Sequence, residues 1–302
     1  MAPPTPARDE TLVRVAASGV NRADLSQIAG HYPPPPGESE ILGLEVSGTM
    51  DDTGEPVCAL LAGGGHAEYA AAPTGQVFPA PVAEGLDLVT AAGIPEAFLT
   101  AFVNLIVEGG LDRGATVLVH AGASGVGLAA IQLAKLSGAR VAATTRSADK
   151  VKVLEAVGAD LPIDTSRQDF VAEIERCWGR DAVDVVLDPV GAASFAGDLH
   201  LIKIGGRIVI LSTMSGSETS LDLALLMKKR ARVVGSTLRA RSRAEKAAIV
   251  SRFKDEILPG FASGALRVVV DALFPVARAA EAFQRMRENR NAGKILIAWG
   301  HD

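Results

Sequence analysis

Thr116-Val-Leu-Val-His120-Ala-Gly122-Ala-Ser124-Gly125-Val126-Gly127 runs directly into Leu128-Ala-Ala-Ile-Gln-Leu-Ala-Lys135. The first five residues read as a buried strand, the glycines as a tight turn, and the remainder as a helix. The turn spells Gly122-x-Ser124-x-x-Gly127, the dinucleotide fingerprint with serine at its middle glycine. In that geometry the backbone N–H groups at the helix N-terminus face a pyrophosphate and the glycines let phosphates approach closely, which makes Ser124, Gly125 and Val126 candidate cofactor-binding residues. A lone match of this kind is weak and also fits an ordinary strand–helix turn. A readable strand before it and a readable helix after it give the match its context.

Outward from this turn, strands and helices alternate. Strands are predicted over 116–120, 140–145, 161–164, 183–188, 207–211 and 233–237. Helices are predicted over 96–108, 127–137, 150–157, 170–178, 194–201 and 243–262. This alternation makes βαβ units and a doubly wound parallel sheet with helices on both faces, an α/β fold of Rossmann type. The first hundred residues differ, being short alternating runs (11–17, 41–50, 56–61, 66–72) split by glycine and proline, which predicts a small β-rich domain. The tail returns to that texture, with strands at 268–273 and 294–298 around a helix at 276–289. Residues 1–96 and 265–302 are thus expected to form one domain and 97–264 the dinucleotide-binding domain.

Composition narrows the function. Hydrophobic residues make up 48% and aromatics 4%, so the core is built from small and branched aliphatics, as parallel strands require. The net charge of -5 offers no basic surface to nucleic acid or an anionic membrane. The basic cluster at 228–232 reads as a solvated helix end. Two distant cysteines, Cys58 and Cys177, imply neither a disulfide framework nor a thiolate metal cluster. No apolar stretch reads as a secretory signal or a bilayer span, so a cytoplasmic setting is expected.

The residues also bear on cofactor choice. The strand after the fingerprint helix ends Thr144-Thr145-Arg146-Ser147-Ala-Asp-Lys150. NAD enzymes usually place an acid there for the ribose 2′-OH, whereas a nearby arginine accommodates a 2′-phosphate. Thr145 is neutral, Arg146 and Lys150 are close, and Ser147 can donate, which favours NADPH. The alternative is that Arg146 and Lys150 merely open a solvated helix, with Asp149 in its first turn. Leu211-Ser212 follows a strand's C-terminal end, where ligands sit in such sheets, and its backbone could grip a carboxamide.

A β-rich start, a doubly wound centre and a β-rich return, together with particular motifs, resemble the medium-chain dehydrogenase/reductases. The motifs are Val13-Arg-Val-Ala-Ala-Ser-Gly-Val-Asn21-Arg-Ala-Asp24, Gly30-His-Tyr32-Pro-Pro-Pro-Pro-Gly37, Ile41-Leu-Gly-Leu-Glu45-Val-Ser-Gly48, and Ile94-Pro-Glu-Ala-Phe-Leu-Thr100-Ala-Phe102. His120 to Gly127, Asp188-Pro-Val-Gly191, Gly205-Gly-Arg-Ile-Val209 and Asn291-Ala-Gly-Lys294 complete the set. The wording is similar to the zinc-independent quinone oxidoreductase branch, particularly its p53-inducible NADPH:quinone reductase type. The resemblance implies a GroES-like β domain, trimmed here at its N-terminus and again at 49–55, which would leave a sheet edge open.

The resemblance further implies NADPH as cofactor, with Thr100 near the nicotinamide and Asn291 and Lys294 near the cofactor. Asn21 and Tyr32 would line the substrate cleft, and a tyrosine of some members is Thr165 here. Zinc-using relatives carry a cysteine and a histidine where this chain has Asn21 and Leu44, which implies a metal-free enzyme. The histidines at 31, 66, 120, 200 and 301 read as surface or structural groups. For Tyr32, donation to a substrate oxygen and packing on Pro33–Pro36 are both open. Asn21 also fits a local turn, Thr100 a helix residue bonded to its own turn, and Glu45 a structural ion pair. The expected reaction is hydride transfer to a quinone or another α,β-unsaturated carbonyl. The alternatives are an enoyl-thioester reductase of a biosynthetic pathway and an NADPH-binding protein with little turnover. A homodimer or homotetramer, paired through the strand at 233–237, is expected.

Overall fold

The structure, a computed structural model, describes residues 2–82 and 86–300. Expectations touching Met1, 83–85 and 301–302, the histidine at 301 included, lie outside the described residues. The chain forms two compact units, Met1–Leu99 with Leu238–Asp302, and Thr100–Thr237.

The first unit opens with strand β1 (Glu10–Val20), helix α1 (Arg22–Ile28) and strands β2 (Glu45–Met50), β3 (Pro56–Leu60), β4 (Tyr69–Pro73) and β5 (Val77–Pro79). The short helix α2 (Leu88–Ala91) follows, and α3 (Pro95–Phe102) begins in this unit and ends in the next, which starts at Thr100. In β1, Val13, Val15 and Ala17 are buried at alternate positions, as a sheet with a covered face demands. The helix expected to reach residue 108 ends at Phe102 and passes into a π-helical turn, Val103–Val107. Here the Asn104 side chain donates to the Thr100 carbonyl at 2.7 Å, competing for a helix acceptor.

In the second unit six strands and their helices alternate: β6 (Thr116–Val119), α4 (Gly125–Leu136), β7 (Arg140–Thr145), α5 (Val151–Ala156), β8 (Leu161–Asp164), α6 (Phe170–Trp178), β9 (Val183–Asp188), α7 (Phe195–Leu201), β10 (Ile202–Ile210), α8 (Leu223–Lys229) and β11 (Arg232–Gly235). The strands pair in parallel in the order β11-β10-β9-β6-β7-β8. That is the doubly wound order, reversing between β6 and β9. All of β6 is buried, the near-continuous apolar run of a strand covered on both faces. Helix α8 ends in the basic cluster that was read as a solvated helix end. Lys229 at its end is buried, not solvated: its ammonium pairs with Asp181 at 2.7 Å and donates to the His200 carbonyl.

The chain then returns to the first unit through α9 (Arg243–Glu256), α10 (Pro259–Ala262), β12 (Val270–Pro275), α11 (Ala279–Arg287) and β13 (Lys294–Ala298). The first sheet has the order β12-β13-β1-β2-β3-β5, with β4 on β1. β13 pairs antiparallel with β1 and parallel with β12. Two expectations are corrected. The single helix over 243–262 is divided before Pro259, which has no N–H to continue it. Residues 238–264 also group with the first unit, not with the parallel sheet. The reason is packing: the Phe253 ring meets Phe78 of β5 edge-on at 5.7 Å, and α9 lies on the turn at Thr74–Gln76.

Phe253→Ala is expected to cost about 3–5 kcal/mol. Hydrogen exchange should show the lost protection in β5 and the 74–76 turn and not in β6 or β9; the reverse pattern would refute the packing assignment.

Candidate functional site

The fingerprint turn leaves β6 at the point where strand order reverses. Ala121 takes a left-handed backbone, φ 48°, a costly state for a residue with a Cβ. The Ser124 hydroxyl accepts from the Gly127 N–H at 3.0 Å and caps α4. The N–H groups of Gly125 and Val126 have no acceptor within the first helical turn and stay directed outward. A Cβ on Gly127 would sit 2.6 Å from the carbonyl oxygens of Ala121 and Gly122, so only glycine closes this turn.

Next to it, β7 ends in buried Thr145, whose carbonyl accepts both the N–H (2.8 Å) and the hydroxyl (3.1 Å) of Thr165. Arg146 is exposed and pairs with no described residue. Ser147 is half-buried, and Lys150 closes a short 3-10 turn with Asp149 inside it, ahead of α5. Leu211 follows β10, its N–H held by the Asp188 carbonyl at 3.0 Å, and Ser212 is exposed. Thr100 is buried, and its hydroxyl has no partner among the described residues; it does not bond back to its own turn. Thus Gly122, Ser124, Gly125, Val126, Gly127, Thr145, Arg146, Ser147, Lys150, Leu211, Ser212 and Thr100 all fall in the second unit.

One polar pair in that unit was invisible in the sequence beyond a strand-end histidine. His120, buried at the end of β6, reaches Asp198 of α7 with Nε2 at 2.7 Å and the Thr144 hydroxyl with Nδ1 at 3.0 Å. Burial lowers the imidazole's affinity for a proton, but the Asp198 charge and hydrogen bond outweigh it and hold it raised. Burial pushes the Asp198 carboxyl up to about 6 against that same attraction. Both shifts agree that this pair retains protons better folded than unfolded. It is a structural histidine buttressing the base of the glycine turn.

The first unit contains a second polar group. Lys294 of β13 is buried and forms an ion pair with Glu45 of β2, which is wholly inaccessible. The same ammonium donates to Asn21 Oδ1 at 2.8 Å and the Val20 carbonyl at 3.3 Å. Asn21 Nδ2 in turn donates to Glu45 Oε1 at 2.8 Å and the Gly19 carbonyl at 3.1 Å. The other Glu45 oxygen accepts the Glu96 N–H of α3 at 2.8 Å. The Asn21 amide and the Lys294 ammonium are thus bonded inside this unit, where the resemblance had placed them on substrate and cofactor. Asn291 is buried as well, donating to the Gly293 carbonyl at 3.0 Å.

Tyr32 lies beside this group. Buried Arg239 stacks over its ring at 5.1 Å, donates to its carbonyl at 3.0 Å, and also grips the Ala62 carbonyl and Gln27. Burial first, then the neighbouring Glu96, raise the phenol's affinity for its proton, against Arg239. No described residue bonds the Tyr32 hydroxyl, so it stays protonated and able to donate. Leu44 is 1% exposed and offers only an alkyl chain. Among the described residues no three His, Cys, Asp or Glu side chains are grouped to hold a metal ion.

Comparison with known proteins gives concordant matches. The alcohol dehydrogenase GroES-like domain model matches residues 7–82 and the zinc-binding dehydrogenase model 125–253. The synaptic vesicle membrane protein VAT-1 homolog of Rattus norvegicus is 30% identical over 99% of this chain and 79% of its own length. The quinone oxidoreductase of Thermus thermophilus, solved also in complex with NADPH, is 31% identical, with a TM-score of 0.84 over 99% of this chain and 94% of that one. A solved NAD-dependent alcohol dehydrogenase is 31% identical, with a TM-score of 0.86 over the same shares.

Lys294→Met leaves Glu45 charged and unpaired in the interior, and is expected to cost about 3–5 kcal/mol in urea unfolding. Adding Glu45→Gln removes that charge and should recover part of the loss; a single variant as stable as the parent would contradict the pairing.

Proposed function

The chain belongs to the medium-chain dehydrogenase/reductase family, within its quinone oxidoreductase branch, and we propose that it is an NADPH-dependent, zinc-free oxidoreductase acting on a quinone or another α,β-unsaturated carbonyl compound. The observation that carries the reading is the fingerprint turn at the strand-order reversal, with unpaired Arg146 beside it.

The residues fit the cofactor. The Gly122–Gly127 turn closes only with glycine at 127, where a Cβ would strike the turn's own carbonyls, and the open N–H groups of Gly125 and Val126 suit a pyrophosphate. Ser124 acts through the helix cap that fixes those N–H groups. At the end of β7 no acid repels a 2′-phosphate, and Arg146 with Ser147 and Lys150 can receive it. The backbone at Leu211 and Ser212, and the Thr100 hydroxyl, would serve the nicotinamide end. When bound, NADPH supplies hydride to the acceptor.

On the substrate side, the protonated Tyr32 hydroxyl would hold a carbonyl oxygen. Asn21 and Lys294 act as positioning residues, holding the ends of β1 and β2 around Glu45, and Asn291 holds the turn before β13. Asn21 and Leu44 provide no ligand set for zinc, which supports a metal-free reaction. We also assign cofactor binding to the parallel-sheet unit and substrate binding to the β-rich unit. In the former, β11 is an edge strand, and Leu223 and Met227 of α8 are 63% and 72% exposed. An exposed edge beside apolar side chains supports a homodimer or homotetramer formed there. No helix among the described residues is long and apolar enough to cross a membrane.

NADPH oxidation with 1,2-naphthoquinone, 9,10-phenanthrenequinone and crotonyl thioester, against NADH, tests the reading. Quinone turnover with NADPH preference is expected; thioester turnover alone would make it an enoyl reductase, and binding without turnover would remove the redox assignment. Arg146→Ala should weaken NADPH binding about 10–100-fold, the range of one charged hydrogen bond, and leave NADH unchanged. Sedimentation at micromolar concentration should show more than a monomer; a monomer would reject the β11 interface.

A further inference from the structure

Hydride transfer to a conjugated carbonyl leaves a negative charge that must take up a proton, and the residue that supplies it is unassigned. Glu96 is the one carboxyl of the Glu45–Lys294 group that no described residue hydrogen-bonds or ion-pairs. Its backbone is fixed: Pro95 opens α3, and the Glu96 N–H is bound to Glu45 at 2.8 Å. Around it, Glu45 and Lys294 are sealed and mutually paired, whereas Glu96 retains partial exposure. Asp24, the third acid, is buried and held by the N–H groups of Asn21 (2.7 Å) and Gly43 (3.2 Å).

We propose that Glu96 is the general acid of the reaction, delivering its carboxyl proton to the reduced substrate beside Tyr32. The proposal rests on the reductase reading above. Hydride adds to the β-carbon of the enone, its C–H bond to NADPH breaking as the cofactor is oxidised to NADP+, and the electron pair of the C=C bond moves to the α-carbon and oxygen. The Glu96 O–H bond breaks, and its proton joins the α-carbon as a new C–H bond. Glu96 is left as a carboxylate and regains a proton from water. For a quinone the same proton goes to oxygen, where water can also supply it. Tyr32 holds the oxygen meanwhile.

Electrostatics keep the acid loaded. Burial first, then Glu45, push the Glu96 carboxyl up to about 8, with Asp24 adding to the rise; Lys294 and Arg239 oppose it. Tyr32 and Lys246 also face it, the latter's ammonium weakened chiefly by burial. The acid form is therefore present at neutral pH, and the proton is lost as pH rises through about 8. The value lies near working pH, where a general acid is most effective.

The test compares Glu96→Gln and Glu96→Asp with the parent, using NADPH with a small enone and with 1,2-naphthoquinone. General acid catalysis is worth about 10²–10⁴-fold, so enone turnover should fall by at least about 100-fold in Glu96→Gln. Quinone turnover should fall far less, NADPH binding should be unchanged, and Glu96→Asp should recover part of the enone rate. The parent's enone kcat/KM should decline above about pH 8, and Glu96→Gln should lose that limb. Independently of turnover, carboxyl-carbon NMR of the protein without cofactor should show a resonance titrating near 8 that is missing from Glu96→Gln. Equal loss on both acceptors, unchanged enone turnover, or a Glu96 resonance titrating in the ordinary carboxylate range would each overturn the proposal. A parent inactive on every acceptor would instead reject the reductase reading, and the acid role with it.

Discussion

The Lys294–Glu45 ion pair is the constraint on which the β-rich unit depends. A carboxylate with no solvent access must find its counter-charge and hydrogen bonds inside the fold. Glu45 finds all of them: an ammonium from β13, an amide from Asn21 at the end of β1, and a backbone N–H from α3. Four segments distant in sequence are thereby fixed at one point. Even Gly19 follows from it, since a Cβ there would lie 2.2 Å from the Glu45 carboxylate. The proposed site inherits its geometry from this node: α3 begins where Glu45 holds Glu96, and Asn21 begins α1.

The parallel-sheet unit has a different organising constraint, the reversal of strand order between β6 and β9. Two connections diverge there, and the loop after β6 must turn sharply into α4. Ala121 accepts an unfavourable backbone and Gly127 gives up a side chain to make that turn. The buried His120–Asp198 pair anchors it from below, linking the strand end to α7. Such a base keeps the outward N–H groups of Gly125 and Val126 in place before any ligand arrives.

Much of this was legible in the sequence, for a physical reason. Strands β7, β8, β9 and β13 and helix α6 were bounded correctly by local pattern, because apolar runs ending at glycine, proline or a capping acid carry their own limits. The fingerprint turn was equally local. What was missed depends on partners far away. Nothing near Pro259 says that α9 packs on Phe78, and nothing near Lys229 says that Asp181 awaits it. The same applies to the site. The proposal for Arg146 was readable, because it depends only on the strand end that the residue follows. Asn21, Asn291 and Lys294 were placed by resemblance on ligands, and only three-dimensional contacts showed their polar atoms bonded inside the fold. Glu96 passed unnoticed as a first-turn helix acid, since its isolation is a property of its surroundings.

The two ends of the chain share one sheet, and this has a consequence for the newborn protein. Thr100–Thr237 is contiguous and can complete its parallel sheet as soon as it clears the ribosome. The β-rich unit, whose first strands are made earliest, must wait for the last. Until β13 is synthesised, β1 lacks a neighbour and Glu45 lacks its cation. The part made first therefore finishes after the contiguous unit, holding an open strand and an unneutralised carboxylate until Lys294, 249 positions after Glu45, has been added. That charge, ruinous in a closed interior, keeps the waiting segment hydrated and poorly suited to premature collapse. Strand β13 acts as a latch, and translation order decides when it closes.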